Sequence, residues 1–430
     1  MAAPGSATTA TSAAILKTQY TQPKVYWLSY KNNPSLANIR KSEKFKGDSK
    51  VIAIQTETPQ GGGNTIALAQ ANAIPSVYSK FILTRIDDFG IARVTGEAMK
   101  AAEDDEGSLI DLWKREMEGI LHTVKRSLAI HMQRNGTGSR GQISAASNVA
   151  TATITLAVVA DITNFAVGMT VQATNGDGGA LRSAGATAVI TGINRTLGQL
   201  TIAGNWNASI AAIAASDFLN RNGDAQNGGS ASMISGRGAW IPPADPGTTY
   251  VPTGYAVPAS LFSNTRTSDV VRLAGLRLAA SQMSMQEAIQ EATAMVQVEG
   301  ADNDLVCYMH PRDRANFAKE LGAKVVYSRE EKAISGSEAR IGFSAIKLET
   351  DSGDVKIFSD LNVQRGTFYL GDPETECLES LGAAPMILDF DTLDFLRYTT
   401  DDSYEVRFGS YVNYSNAAPA FWVNAQGFGQ

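Results

Sequence analysis

Leu109-Ile-Asp-Leu-Trp-Lys-Arg-Glu-Met-Glu-Gly-Ile-Leu-His-Thr-Val-Lys-Arg-Ser-Leu-Ala-Ile-His-Met-Gln133 runs without a proline and breaks at Asn135-Gly-Thr-Gly-Ser-Arg-Gly141. Leu109, Trp113, Met117, Ile120, Leu121, Val124 and Leu128 recur at helical spacing, which places them on one stripe of an amphipathic helix. Lys114, Arg115, Glu118, Lys125 and Arg126 fall on the other side. Ser108 suits an N-cap, and Asp111 puts negative charge at the positive end of the helix dipole. Asn135-Gly136 suits a left-handed C-cap. About 25 residues at 1.5 Å each predict a rod about 38 Å long, longer than an average globular helix. Such a rod spans a flat domain better than it fits inside one small core.

Upstream, residues 47–96 read as an extended hairpin with Pro59, Gly61, Gly62, Gly63 and Asn64 at its tip. Residues 50–58 and 81–86 alternate as strands do, with Val51, Phe81 and Leu83 as the apolar marks. The segment between them holds too few large apolar side chains for a core of its own. A lone two-stranded hairpin is marginal in water, so a neighbouring subunit is the expected support. A strand of about ten residues reaches about 30 Å, far enough to lie across an adjacent molecule.

Downstream, charge nearly vanishes over residues 144–219, and short strands alternate with turns such as Asn175-Gly-Asp-Gly-Gly179. This predicts an inserted small β-barrel or sandwich over residues 144–222. Residues 223–267 lead back through a Pro- and Gly-rich loop. Residues 268–299 then show a helical period, 305–309 a short apolar strand and 311–321 a second helix, an α+β order. Strands are expected at 343–348, 355–358 and 367–370, and again at 405–408, 411–414 and 419–423, the last group rejoining the long helix.

Composition narrows the function classes. A chain of 430 residues with 43% hydrophobic content supports roughly three domain-sized units. A net charge of −6 argues against a dedicated nucleic-acid binder, though not against loose enclosure of nucleic acid. Two cysteines, Cys307 and Cys377, make no disulfide framework and fit a reducing compartment. No apolar run is long enough to cross a bilayer. Residues 1–14 lack the basic flank and apolar centre of a signal peptide and read as flexible or partner-ordered, at the head of an N-terminal arm expected over residues 1–46.

Motifs for chemistry are sparse. Glu118 and His122 sit four apart, a metal-compatible spacing, but no third ligand or HExxH pattern accompanies them. His310 precedes a helix and is expected to hydrogen-bond locally. Gly136, Gly138 and Gly141 spell GxGxxG, yet they follow a helix and precede a strand, the reverse of a dinucleotide site. The triple glycine at 61–63 lacks the Gly-Lys-Ser/Thr of a phosphate loop. Cys307 lies in an apolar strand and reads as an inert core thiol. Acidic stretches at 103–106 and 389–394 have the charge to bind a cation, but read more simply as helix-start charge and a polar-faced strand or turn. No catalytic residue, cofactor or metal is expected.

Taken in order, the arm, the extended hairpin, the long helix, the glycine break, the α+β region and the closing strands resemble the major capsid proteins of tailed bacteriophages. Those proteins share the Hong Kong 97-like fold. The resemblance rests on Phe81-Ile-Leu-Thr-Arg-Ile-Asp-Asp-Phe89, Thr95-Gly-Glu-Ala98, the helix with Asn135-Gly-Thr-Gly138, Leu305-Val-Cys-Tyr-Met-His-Pro311, and residues 397–419. It covers most of the chain outside the insertion at 144–219.

The resemblance implies an E-loop at 47–96 and a peripheral domain at 97–143 with the long helix as its spine. It implies an axial domain at 268–385 and C-terminal peripheral strands at 386–430. It further implies hexamers and pentamers in an icosahedral virion capsid around double-stranded DNA, without sequence-specific binding. Assembly would take place in a host bacterial cytoplasm, with scaffold and portal proteins and possible decoration proteins as partners. Some family members link subunits through an E-loop lysine. Residues 59–78 contain none, and Lys50 and Lys80 sit nearer the base, so non-covalent linkage is expected. The competing readings are an encapsulin-type protein compartment, a β-rich adhesive surface protein and, weakest, a hydrolase.

Overall fold

The computed structural model describes residues 33–97, 112–226, 231–301, 304–321, 346–350, 353–388, 396–397 and 402–428. Leu109, the Ser108 cap, Asp111 and the acidic stretches at 103–106 and 389–394 lie outside the described residues, as do residues 1–32 of the arm.

The long helix is Leu112–His131. Gly136 follows in the left-handed conformation, φ 85°, as the Asn-Gly cap requires. Val124 and Leu128 are buried, and Met117, Ile120 and Leu121 are half-buried. Val124 meets Val406 and Phe408 of the long strand Ser403–Asn416, while Leu128 enters a larger core with Trp240, Val412 and Tyr414. That strand, continuous where the sequence suggested two short ones, is the axis of a six-stranded sheet. It pairs antiparallel with Ile86–Thr95 from Ser403↔Thr95 to Val412↔Ile86, and on its other side with Glu376–Ser380. Residues 86–95 of the expected hairpin therefore belong to this sheet and not to the projecting arm. At the sheet's edge, Arg40–Ser42 adds parallel to Glu376–Ser380.

A second six-stranded sheet runs in the order Leu276–Ala279, Trp422–Gln426, Thr367–Gly371, Asp304–Met309, Gly353–Ser359, Ile346–Thr350. Helices Met285–Val298 and Pro311–Leu321 share its core, which includes Ile289, Val296, Phe317, Cys307 and Phe368. The helical period read over residues 268–299 is only half right. Residues 276–279 form a strand, and the helix starts later, where Ser284 and Glu287 form a capping box. Gly275, at φ 74°, breaks the chain just before that strand. The C-terminal residues divide between the two sheets, since Trp422–Gln426 lies beside Leu276–Ala279 in the second one.

The inserted module is a six-stranded antiparallel sheet with its own core of Ile154, Leu200, Trp206, Phe165 and Ile190. Its strand order ends at Ser139–Gln142 on one side and Thr153–Thr155 on the other. An Ile143↔Leu156 bridge and the bond from Ser144 N–H to the Thr155 carbonyl join those ends, closing a small barrel. The first strand begins inside the glycine-rich break itself, ahead of residue 144.

The charged side of the long helix is not simply solvated. Its C-terminal half and the turn after it seat the barrel: Arg126 donates to the Thr163 carbonyl at 2.8 Å, and Arg134, just past the helix, pairs with Asp161 at 2.8 Å. Below them Arg140 meets Asp224 at 3.3 Å, and Arg221 bridges Asp224 and Asp88. His131 is wholly buried beside Asp224, and burial holds its imidazole below its usual pKa.

Candidate assembly surface

The hairpin pairs Ser49–Glu57 with Val77–Thr84, from Ser49↔Thr84 to Glu57↔Val77. Its base is rooted in the body. Phe81 and Leu83 are fully buried, and the Phe81 ring lies 4.8 Å from that of Trp240. The Ile82 N–H donates to the Phe262 carbonyl at 2.9 Å. Arg85 donates to the carbonyls of Phe45 and Gly47, and Arg272 reaches both Glu57 and the Thr56 carbonyl.

Beyond the base the environment reverses. From Glu57 to Pro75 every residue except Ala69 is exposed, including Pro59, Gly61, Gly62, Gly63 and Asn64. Ile66 keeps 80% of its surface open, Tyr78 67% and Ile74 57%. Residues 58–79 carry no charged side chain, so this exposure is apolar, amide and hydroxyl surface. Exposed apolar side chains grouped this closely mark a contact surface more often than scattered ones do.

The tip is nonetheless ordered by its own bonds. Gln60 and Ile74 exchange main-chain hydrogen bonds at 2.9 and 2.6 Å, which close its neck. Inside lies a short helix, Ile66–Ala71, that sequence reading did not find because its small residues carry no helical period. Thr65 caps it by accepting from the Leu68 N–H at 3.3 Å, and Asn72 donates to the Gly62 carbonyl at 3.0 Å. Among the three tip glycines only Gly63 is sterically demanded. A β-carbon there would meet the Ala69 nitrogen at 2.7 Å, whereas at Gly62 it would meet nothing. Gly63→Ala should therefore disturb the short helix and weaken subunit association, while Gly62→Ala should leave association unchanged. Sedimentation of the two variants side by side checks this, and equal behaviour would contradict it.

The other residues that the sequence singled out have structural roles. The Leu112–His131 stripe faces the first sheet as described, and the side chain of Trp113 lies outside the described residues. His310 Nδ1 accepts from the Arg312 N–H at 3.2 Å, and desolvation lowers its pKa to about 4. Cys307 is fully buried, and burial pushes its thiol pKa up. Among the described residues no group of three His, Cys, Asp or Glu side chains is placed to hold a metal ion.

Sequence reading missed a buried polar hub. Arg237 is fully buried and donates from Nε and Nη2 to both oxygens of Glu376 at 2.6 Å, and from Nη1 to Gln133 at 3.1 Å. The Tyr414 hydroxyl donates to the same carboxylate. The guanidinium lies 4.3 Å from the centroid of the Tyr308 ring and 5.3 Å from that of Trp422. Glu376 and Tyr414 come from the first sheet and Tyr308 and Trp422 from the second, so this one side chain ties the two sheets together. No local motif signals it, because its partners lie more than 70 residues away in sequence on both sides.

No protein-family model and no curated protein matches the chain. Solved structures do. The capsid of cyanophage A-1(L) is similar over 99% of this chain and 100% of its own, at 8% identity and a TM-score of 0.56. The capsid of a native GTA particle is similar over the same shares at 8% identity and a TM-score of 0.50. The holo-SrpI encapsulin complex from Synechococcus elongatus covers 98% of this chain and 95% of its own at 6% identity, and its TM-score of 0.46 is too loose to argue from. At such identities it is the architecture that is shared, and this chain has the α+β fold of phage capsid subunits.

Proposed function

We propose that this chain is the major capsid subunit of a tailed bacteriophage, assembling as hexamers and pentamers into an icosahedral shell around double-stranded DNA. The single observation that carries the proposal is the hairpin: rooted in the core at Phe81 and Leu83, ordered at its tip, and offering uncharged apolar surface that the described residues of its own chain leave exposed. In this reading residues 47–84 are the E-loop and Leu112–His131 is the spine of a peripheral domain. The second sheet with its two helices is the axial domain near capsomer centres. The barrel at 139–222 sits on the shell surface, where an added module least disturbs packing. Scaffold and portal proteins, and possible decoration proteins, are the implied partners.

The mechanism is shared burial. Each exposed Leu, Ile or Tyr of the tip gains about 1.5–3 kcal/mol if a neighbour covers it fully, before the losses of association are counted. Obligate interfaces commonly bury about 2,000 Å² or more. Repetition around a closed shell turns modest single contacts into large avidity.

The experiment is size determination of the purified chain with assay of its contents. Megadalton particles containing DNA support the proposal. Megadalton particles holding protein cargo instead would assign the fold to a protein compartment, and a persistent monomer would overturn the shell reading.

In this reading the linkage is non-covalent: residues 59–78 contain no lysine, Lys50 is held at 2.7 Å by Glu379 of its own chain, and Lys80, though exposed, sits nearer the base than the tip. Particles boiled in detergent should release a single band at 45.6 kDa. A ladder of covalent oligomers would contradict this.

A further inference from the structure

Charge is divided very unevenly along the chain. Residues 1–46 hold seven basic side chains, Lys17, Lys24, Lys31, Arg40, Lys41, Lys44 and Lys46, against one acid, Glu43. Their net charge is +6, while residues 47–430 carry −12. Such an asymmetry marks a segment with an anionic partner.

The described part of this segment is a rigid strip and not a loose tail. Arg40–Ser42 is hydrogen-bonded into the sheet edge, in register Arg40↔Cys377 to Ser42↔Glu379. Beyond it the Lys44↔Leu381 bridge and the Phe45 N–H to the Ser380 carbonyl at 3.1 Å hold the main chain. Arg85 clamps the Phe45 carbonyl and lies over its ring, 5.0 Å from the centroid. Arg40, Lys41, Lys44 and Lys46 are all exposed on this fixed backbone. Among the described residues, no carboxylate forms an ion pair with Lys41, Lys44 or Lys46.

Lysines on an edge strand can serve simply to block strand addition. That role accounts for Lys41 but not for Lys44 and Lys46, which lie past the strand, or for the basic residues before it.

We infer that this strip binds the phosphate backbone of nucleic acid, without reading its sequence. The inference rests on the shell reading, in which DNA is the content. Two observations favour a phosphate backbone over an acidic protein. From Ile39 to Lys50 the only large apolar side chains are Ile39 and Phe45, and both are buried, so the strip lacks the apolar centre that protein interfaces carry. Phosphate binding needs only cations held at the surface, and it is paid for by counterion release. The strip also resolves an apparent conflict: a chain of net charge −6 can hold DNA through a local strip whose own charge is positive.

The test compares the full-length chain with the triple variant Lys41→Gln/Lys44→Gln/Lys46→Gln. Binding to a short random-sequence DNA duplex is followed by fluorescence anisotropy between about 50 and 200 mM salt. The wild-type chain should show a steep fall of log K with log salt. Each lysine lost should flatten that slope by about one unit, so the triple variant should lose about two to three units. Equal slopes for the two proteins overturn the inference. So does a variant that binds DNA normally but no longer assembles, because that outcome gives the strip to an acidic protein partner. Whether the wild-type chain forms megadalton particles is read separately, so failure of the shell reading is distinguishable from failure of this one.

Discussion

Replacing Arg237 with Ala should cost the folded subunit about 3–5 kcal/mol, the effect of removing one partner of a buried ion pair. The loss is large because Glu376 would remain buried with its charge, its two bonds at 2.6 Å gone and only the Tyr414 hydroxyl left to it. Burial works against the guanidinium's charge, but Glu376 outweighs it and holds the pKa above the usual arginine value. The two sheets would also lose the cation between Tyr308 and Trp422. Urea unfolding of the unassembled subunit measures this directly. The double variant Arg237→Met/Glu376→Leu removes the stranded charge as well and should recover most of the loss. A single variant less than about 1 kcal/mol below wild type would mean that the hub is not fully desolvated.

The second large effect concerns the hairpin tip. Replacing residues 61–73 with a two-residue Asn-Gly turn keeps the paired strands and removes the exposed helix. Residues 61–73 are exposed apart from Ala69, and among the described residues none outside the hairpin covers them, so subunit stability should stay within about 0.5 kcal/mol of wild type. Full-sized particles should be lost, leaving free subunits or small oligomers in sedimentation. The dissociation of the two effects is what matters. A variant that unfolds would show the tip to be part of the core, and one that assembles into normal shells would remove the tip from the assembly surface.

Much of this architecture was legible where local physics decides the outcome. The stripe from Met117 to Leu128, the Asn135-Gly136 stop, the low-charge run of short strands and the exposed glycine tip all follow from spacing and backbone preference. What escaped was decided by distant partners. The apolar spacing from Val271 to Leu278 reads as helical, but Leu276–Ala279 was drawn into the second sheet, where it finds a partner strand in Trp422–Gln426. Arg115 and Arg126 look alike on a helical wheel, yet Arg126 helps seat the barrel while Arg115 forms an i,i+3 pair with Glu118 along the helix. The continuous strand Ser403–Asn416 looked like two strands because Gly409 and Ser410 interrupt its apolar pattern, although its pairing with Ile86–Thr95 carries it straight through. The candidate surface was legible in position but not in form: the sequence points to the tip, and only the structure supplies the capped helix and the closed neck.

The central claim is that the hairpin of one copy finds its missing support on another copy in a closed shell. The most direct measurement is a cryo-EM reconstruction of the purified particles. The account predicts an icosahedral shell in which Ile66, Leu68 and Ile74 of each hairpin lie buried against a neighbouring subunit. A monomeric protein, or a shell whose hairpin tips stand free in solvent, would contradict it.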